Sequence, residues 1–338
     1  MAEPLSSGSR RAVVISADDF GLSPAVNEAV ERAHREGILG AASLMVAAPA
    51  AADAIARARH LPGLRVGLHL VVIEGPAVLP RQEIPDLVDG QGWFPSDQLR
   101  LGLRYFFSPS IRRQLAREIR AQFAAFAASG LPLEHADAHK HMHLHPTVGR
   151  LMIDIGRSFG LTAIRVPTEP PSALVACGEA VPPSSRLLAI WSRRLRHRVH
   201  AAGMNAPDHV FGLAWSGRMT KERIMALAPH LPAGLSELYF HPAARREPLL
   251  AKLMPDYRQE AELAALLDPT VARALRSVAE IRPGYGGITS GEGGGRPVSG
   301  SPGGPCSTSP GGPCNTSPIG GGTDAANGGG LAGNGTKI

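Results

Sequence analysis

A chain of 338 residues, 43% hydrophobic and 19% charged, can bury the core of one large domain or two. Its apolar residues fall in short segments with no run of about 18 that would span a membrane, and its three cysteines make neither a disulfide framework nor a CxxC metal spacing. The net charge of +6 is concentrated, with Arg186, Arg193, Arg194, Arg196 and Arg198 close together, so it argues against a uniformly basic nucleic-acid binder and for one local surface with an anionic partner.

The segment MAEPLSSGSRRAVVISADD carries no apolar stretch or small-residue cleavage site before its first strand-like run, so the reducing cytoplasm is the expected compartment. Ala12–Ala17 reads as a buried strand, after which Ser23 caps a helix with Pro24 in its first turn and Gly37 at its end. Ala42–Val46 is a second strand, followed by an Ala-rich helix from Pro49 to His60, and Arg65–Leu70 is a third strand. A Pro/Gly-rich loop spans Glu74–Asp97, and Ser110 is expected to cap an amphipathic helix ending before Gly130. Strand-like segments recur at Glu134–Ala138, Thr162–Val166, His209–Leu213 and Ser236–Phe240. Strands alternating with helices imply a parallel sheet, and seven or so units in about 270 residues suit a (β/α) barrel related to the TIM barrel. No GxGxxG follows the first strand, which weighs against a dinucleotide fold. From Gly284 the composition turns to Gly, Ser, Pro, Thr and Asn, with the repeat SPGGPCST–SPGGPCNT. The folded domain is therefore read as residues 10–283 and residues 284–338 as a disordered tail.

Parallel barrels place their chemistry just past the C-terminal strand ends. Four predicted strands deliver acids or histidines there: Asp18-Asp19, His69, the run from His135 to His145, and His241. A single strand-end histidine is more often structural, whereas convergence of four strands asks for a site. Two adjacent carboxylates are costly unless a cation or proton separates their roles. In the run His135-Ala-Asp137-Ala-His139-Lys-His141-Met-His143-Leu-His145, an extended chain would put every histidine on one face. It would also spread them over roughly 40 Å, so one is expected as a ligand while others orient it or contact substrate. An Asp-His-His set leaves positions open for water and substrate and suits hydrolysis of an amide or ester, with a second Asp as base and another His as acid.

The segments ISADDFGLSPAVNEAVERAHREGIL, SLMV, VGLHL, HADAHKHMHLHP and SELYFHPA, in this order, resemble the YdjC-like carbohydrate deacetylases over nearly the whole stretch from Arg11 to Gly284. The resemblance implies a deacetylase-type (β/α) barrel that removes acetyl from N-acetylglucosamine units with one divalent metal ion, Mg or Zn. It implies Asp19, His69 and His139 as metal ligands, Asp18 as general base and His241 as acid; the two aspartates could exchange roles. His141, His143 and Arg165 are the expected substrate contacts. Ser16 replaces a frequent Asn and Ala243 a frequent Gly, neither removing a chemical group. VVIEGPAVLPRQEIPDLVDGQGWF and NAPDHVFGLAWSGRMTKERI further resemble a subgroup associated with hopanoid biosynthesis, which implies an N-acetylglucosaminyl bacteriohopane lipid as substrate.

The segment Ser185–Gly203 sets Leu187, Leu188, Ile190, Trp191, Leu195 and Val199 among arginines. Such a helix either lies at an anionic membrane surface, placing the protein peripherally at the inner membrane face, or is an ordinary barrel helix burying that side. Competing readings are a deacetylase of soluble chitooligosaccharides and, outside enzymes, a noncatalytic metal-binding protein built on the histidine run. Association into a homo-oligomer is compatible with the sequence.

Overall fold

The computed structural model describes residues 10–181 and 184–286, the side chains of residues 184–186 excepted. Seven strands are present among these residues: β1 (Arg11–Phe20), β2 (Ala41–Leu44), β3 (Arg65–Leu70), β4 (Ala136–Ala138), β5 (His209–Phe211), β6 (Gly234–Phe240) and β7 (Glu280–Arg282). They pair in parallel in the order β4-β3-β2-β1-β6-β5, with β7 on the first half of β1. Thr162–Val166, expected as a strand, is instead irregular, but it carries the hydrogen bonding across the gap. Arg165 N donates to Ala136 O on the β4 side, while Ile164 N donates to Asn205 O and Val210 N to Thr168 O on the β5 side. The segment thereby gives the β4 and β5 edges backbone partners, which buried strands require.

Helices cover the outside. Helix Pro24–Glu36 begins as expected, with the Ser23 side chain accepting from Val26 N and Gly37 closing it. The helix expected from Ser110 is Pro109–Ala128 with Ser108 as its cap, and a further helix not expected from the sequence, Gln98–Phe107 capped by Asp97, precedes it. Ser108 is the cap because Pro109 suits a first helical position, which puts Ser110 inside the turn. β7 was not foreseen, its three residues being too short for a readable pattern.

Period-two alternation sorts the strand residues between helices and barrel interior. On β1, Val13, Ile15 and Ala17 join the large outer core, whereas Val14 packs with Ala41, Ala163, Leu235 and Tyr285 inside the N-terminal end of the barrel. One pleat further along, the interior becomes polar: Ser16, Ser43, His135, Arg165 and Glu237, all fully buried. Gly67 of β3 is required there, since a Cβ would meet the His135 ring at 2.6 Å. The last pleat brings Asp18, His69, Asp137 and Tyr239 to the C-terminal end. Tyr285, two residues past the expected boundary of the domain, is buried with its ring 4.6 Å from His135, and its N–H donates to Glu134. The fold therefore includes residues 284–286; the remainder of the expected tail lies outside the described residues.

Candidate metal centre and active site

At the end of β1 the pairing with β2 slips between Ala17 and Phe20, and Asp19 adopts φ 62°. This bulge lets two consecutive aspartates act at the same barrel end instead of facing opposite sides of the sheet. Gly21 N donates to Asn27 Oδ1, and Asn27 Nδ2 donates to Ala50 O and Asp53, which ties the turn after the bulge to the next helix–strand unit. Among the described residues, the non-glycine positions with φ in the left-handed region are Asp19, Glu74, Lys140 and His141, and all four line one cavity. Such conformations cost of order 1–3 kcal/mol each and persist where surrounding structure enforces them.

Asp18 is held by Arg165, whose Nη1 and Nη2 each donate to one of its oxygens at 2.7 Å. The same guanidinium reaches Asp137 Oδ2 at 2.7 Å and Glu237 Oε1 at 2.7 Å, and Ser16 Oγ donates to Glu237 at 2.6 Å. Burial opposes the charge on Arg165, but the three carboxylates outweigh it and keep its pKa well above the ordinary arginine value. Asp137 is likewise held well below the carboxylate range: burial works against ionisation, and Arg165 and then His69 overcome it.

Asp19 differs in kind. Both of its carboxylate oxygens are buried and lack a hydrogen-bond partner, while His69 Nε2 and His139 Nδ1 each lie 3.4 Å from its Oδ1. The ligand atoms of Asp19, His69 and His139 all lie within 4.8 Å of one another. Two atoms bound to one zinc ion at about 2.0–2.1 Å in tetrahedral geometry would be about 3.3 Å apart, so the donor set and its spacing fit a divalent cation. Asp18, His69 and Asp137 form a second tight group, but Arg165 already fills the space between its two acids. Asp137 Oδ1 sits 2.8 Å from His69 Nδ1, which leaves Nε2 directed at Asp19. Burial disfavours a proton on His69, yet Asp137, then Asp18 and Asp19, raise its pKa to about 9; a cation at Nε2 would take that proton's place.

The histidine run is not extended. β4 ends at Ala138, and a 3₁₀ turn with Lys140 and His141 at φ 51° and 53° breaks the alternation. The side chains therefore go to separate surroundings. His135 Nε2 lies 3.0 Å from Ser43 Oγ inside the barrel, His139 faces Asp19, and His141 Nε2 lies 3.1 Å from the Tyr239 hydroxyl. His143 Nε2 is 2.9 Å from the Arg165 carbonyl oxygen, and His145 lies edge-on to Tyr105 and Phe106. His139 and His141 line the main cavity, whereas His143 and Arg165 are fully buried and do not. The guanidinium of Arg165, expected as a substrate contact, is committed to Asp18, Asp137 and Glu237, and His143, expected as another, gives Nε2 to the Arg165 carbonyl while its Nδ1 is buried without a partner. His241 lines the cavity between Tyr239 and Tyr257, and burial, resisted by Asp19 and Asp18, lowers its pKa, so its imidazole is neutral at rest.

Several supporting residues escaped the sequence reading. Glu262, on helix Gln259–Leu267, accepts from Met219 N and from His241 N, fixing the backbone beside His241. Nothing in its helical context marks it. Glu237 did carry a signal: an acid inside the buried strand SELYF demands a cationic partner, here Arg165. The cavity, of about 1140 Å³, is lined by Asp18, Asp19, His69, His139, His141 and His241 and by an apolar wall including Leu103, Phe106, Leu188, Trp191 and Met254.

A parallel α/β barrel with an Asp-His-His cluster and an Arg-clamped acid at its C-terminal end defines the class of this protein. The YdjC-like protein family matches residues 12–277, and the chain belongs to that family. It is 37% identical over 159 residues to a carbohydrate deacetylase of Brevibacillus brevis, covering 47% of this chain and 59% of that protein. A carbohydrate deacetylase of Geobacillus stearothermophilus is 29% identical over 267 residues, covering 78% of this chain and 93% of the relative. The chain thus spans under two thirds of the first relative's length and nearly all of the second's. The crystal structure of an Enterococcus faecalis V583 protein linked by name to cellobiose-phosphate cleavage superposes with TM-score 0.62 at 21% identity, over 81% of this chain and 97% of that one, a likeness of fold.

Proposed function

We propose that this protein is a divalent-metal-dependent hydrolase that removes the N-acetyl group from an N-acetylglucosamine unit. The observation that carries the reading is the doubly unpartnered, buried carboxylate of Asp19 facing His69 and His139, next to an Asp18 clamped by Arg165. The names of the curated relatives support a carbohydrate substrate. A cation held by Asp19, His69 and His139 supplies Lewis acidity toward an amide carbonyl and toward water.

The chain's own residues handle the protons. Water adds to the acetyl carbon, and Asp18 takes its proton on the lone pairs that Arg165 leaves free. The C–N bond then breaks to release acetate and an amine, and the amine nitrogen gains a proton from His241. Burial lowers the His241 pKa, so the proton it passes to the amine is the one Asp18 took from water, relayed to His241 before the C–N bond breaks. His141, hydrogen-bonded to Tyr239 and lining the cavity, is placed to contact the sugar.

The apolar wall favours an N-acetylglucosaminyl lipid, as in hopanoid biosynthesis, over a soluble chitooligosaccharide. At about 1140 Å³ the cavity exceeds the usual range of roughly 300–1,000 Å³ for small-ligand pockets, and a free sugar has no use for so much hydrocarbon surface. A metal-storage role loses its basis because the histidines of the run go to separate environments. Acetate release by metal-loaded protein from an N-acetylglucosaminyl hopanoid and from diacetylchitobiose tests the reading. Release from the lipid in preference supports it; release from the disaccharide alone replaces the lipid with a soluble sugar; release from neither overturns it.

A further inference from the structure

The rim of the cavity carries most of the large apolar side chains that stand exposed among the described residues. Helix Gln98–Phe107 exposes Leu99 by 74%, Phe107 by 71% and Leu103 by 52%. Helix Ser184–Ala201 is divided along its length: Leu195 and Val199 are buried, as in an ordinary barrel helix, whereas Leu187 stands 60% exposed. Leu99, Leu103, Phe107 and Leu187 all line the mouth of the same cavity. Four large apolar side chains at one opening are more than the scattered single residues of an ordinary surface.

Basic groups flank this rim. Trp191 and Phe106 line both the main cavity and a neighbouring one of about 600 Å³, whose walls also carry Arg193, Arg194, His197 and Arg198. The Arg194 guanidinium lies 5.1 Å from the Trp191 ring centroid, so the aromatic face meets the first of these charges directly. Neither helix contains an acidic residue. Apolar side chains bordered by arginines, with no acids among them, match a surface of hydrocarbon beneath a layer of phosphate.

We propose that this rim docks on an anionic phospholipid bilayer, with Leu99, Leu103, Phe107 and Leu187 entering the acyl boundary and Arg193 and Arg194 meeting lipid phosphates. The proposal rests on the glycolipid reading for its purpose: the cavity would open onto the bilayer, and a lipid-borne sugar would reach Asp19 without its hydrocarbon part crossing water. Docking itself requires no turnover.

Co-sedimentation of the full chain with vesicles of phosphatidylcholine, alone or mixed with phosphatidylglycerol, tests it. The chain is expected to pellet with the mixed vesicles and to stay in solution with phosphatidylcholine alone. Arg193→Ala and Arg194→Ala should each weaken binding roughly fivefold, and Leu99→Ser with Phe107→Ser should abolish it, with melting temperatures unchanged. Failure to pellet with mixed vesicles, or equal binding to both, overturns the proposal. So does a dimer in analytical ultracentrifugation that Leu99→Ser and Phe107→Ser dissolve, since the rim would then be covered by a second copy. Acetate release from the detergent-solubilised glycolipid is measured separately: turnover without vesicle binding defeats docking alone, and vesicle binding without turnover defeats the catalytic reading alone.

Discussion

The interior of the barrel and the rim above it use opposite means. Inside, one guanidinium is shared by Asp18, Asp137 and Glu237, and none of these acids can leave it without stranding a charge. At the rim, large apolar side chains stand in solvent on two helices, with arginines beside them. The contrast teaches that fixed geometry for chemistry and adaptable surface for recognition are kept a few residues apart, joined by the cavity. Asp19 stands apart among the buried carboxylates in having both oxygens without a partner, which is why the proposed cation is assigned to it.

The contrast breaks first at Arg165. Arg165→Met leaves three buried carboxylates without their cation and should cost at least 3–5 kcal/mol of stability, read as a collapse of the urea midpoint. A midpoint close to wild type would mean that the interior is not held by charge. Next, Asp18→Asn is expected to lower kcat by roughly 10²–10⁴-fold with metal content retained, whereas Asp19→Asn should lose metal and turnover together. Metal analysis showing the reverse exchanges the two roles.

Third, the barrel's closed end should matter more than anything beyond it. A chain ending at residue 283 lacks the buried Tyr285 ring and should lose about 3 kcal/mol, while one ending at residue 286 should keep the wild-type melting temperature. Equal melting of the two would make Tyr285 a bystander. The smallest effect is a pH dependence. Burial, only partly offset by Asp137, lowers the His143 pKa to about 4 from its ordinary 6.5. Between those values the unfolded chain binds more protons than the folded one, so this contribution is whole above about pH 6.5 and fades as pH falls toward 4. It amounts to as much as about 3 kcal/mol. His143→Gln should flatten that part of the stability–pH curve in denaturant titrations; an unchanged slope would assign it to another group.

Much of this was legible because strand ends announce themselves. VGLHL and SELYF alternate or run apolar up to a polar residue, so His69 and His241 could be placed at a barrel end from the letters alone, and helix Pro24–Glu36 was marked by its Ser-Pro start and Gly end. What stayed hidden depends on backbone shape. The run after His135 looks like a continuing strand, and nothing local says that Lys140 and His141 turn left-handed and scatter the later histidines. Arg165 reads as a substrate contact until the barrel closes around it and brings acids from β1, β4 and β6 to one guanidinium, contacts up to 147 residues apart along the chain.

The bulge at the end of β1 also has a mechanical consequence. Asp18 and Asp19 are separated by one peptide unit, about 3.8 Å between Cα atoms, and that spacing cannot stretch. If strands shift or rim helices move, Asp18 and Asp19 travel together. Alignment between them is thus carried by a covalent bond rather than by packing, and it is insensitive to distortions that would separate residues contributed by different strands.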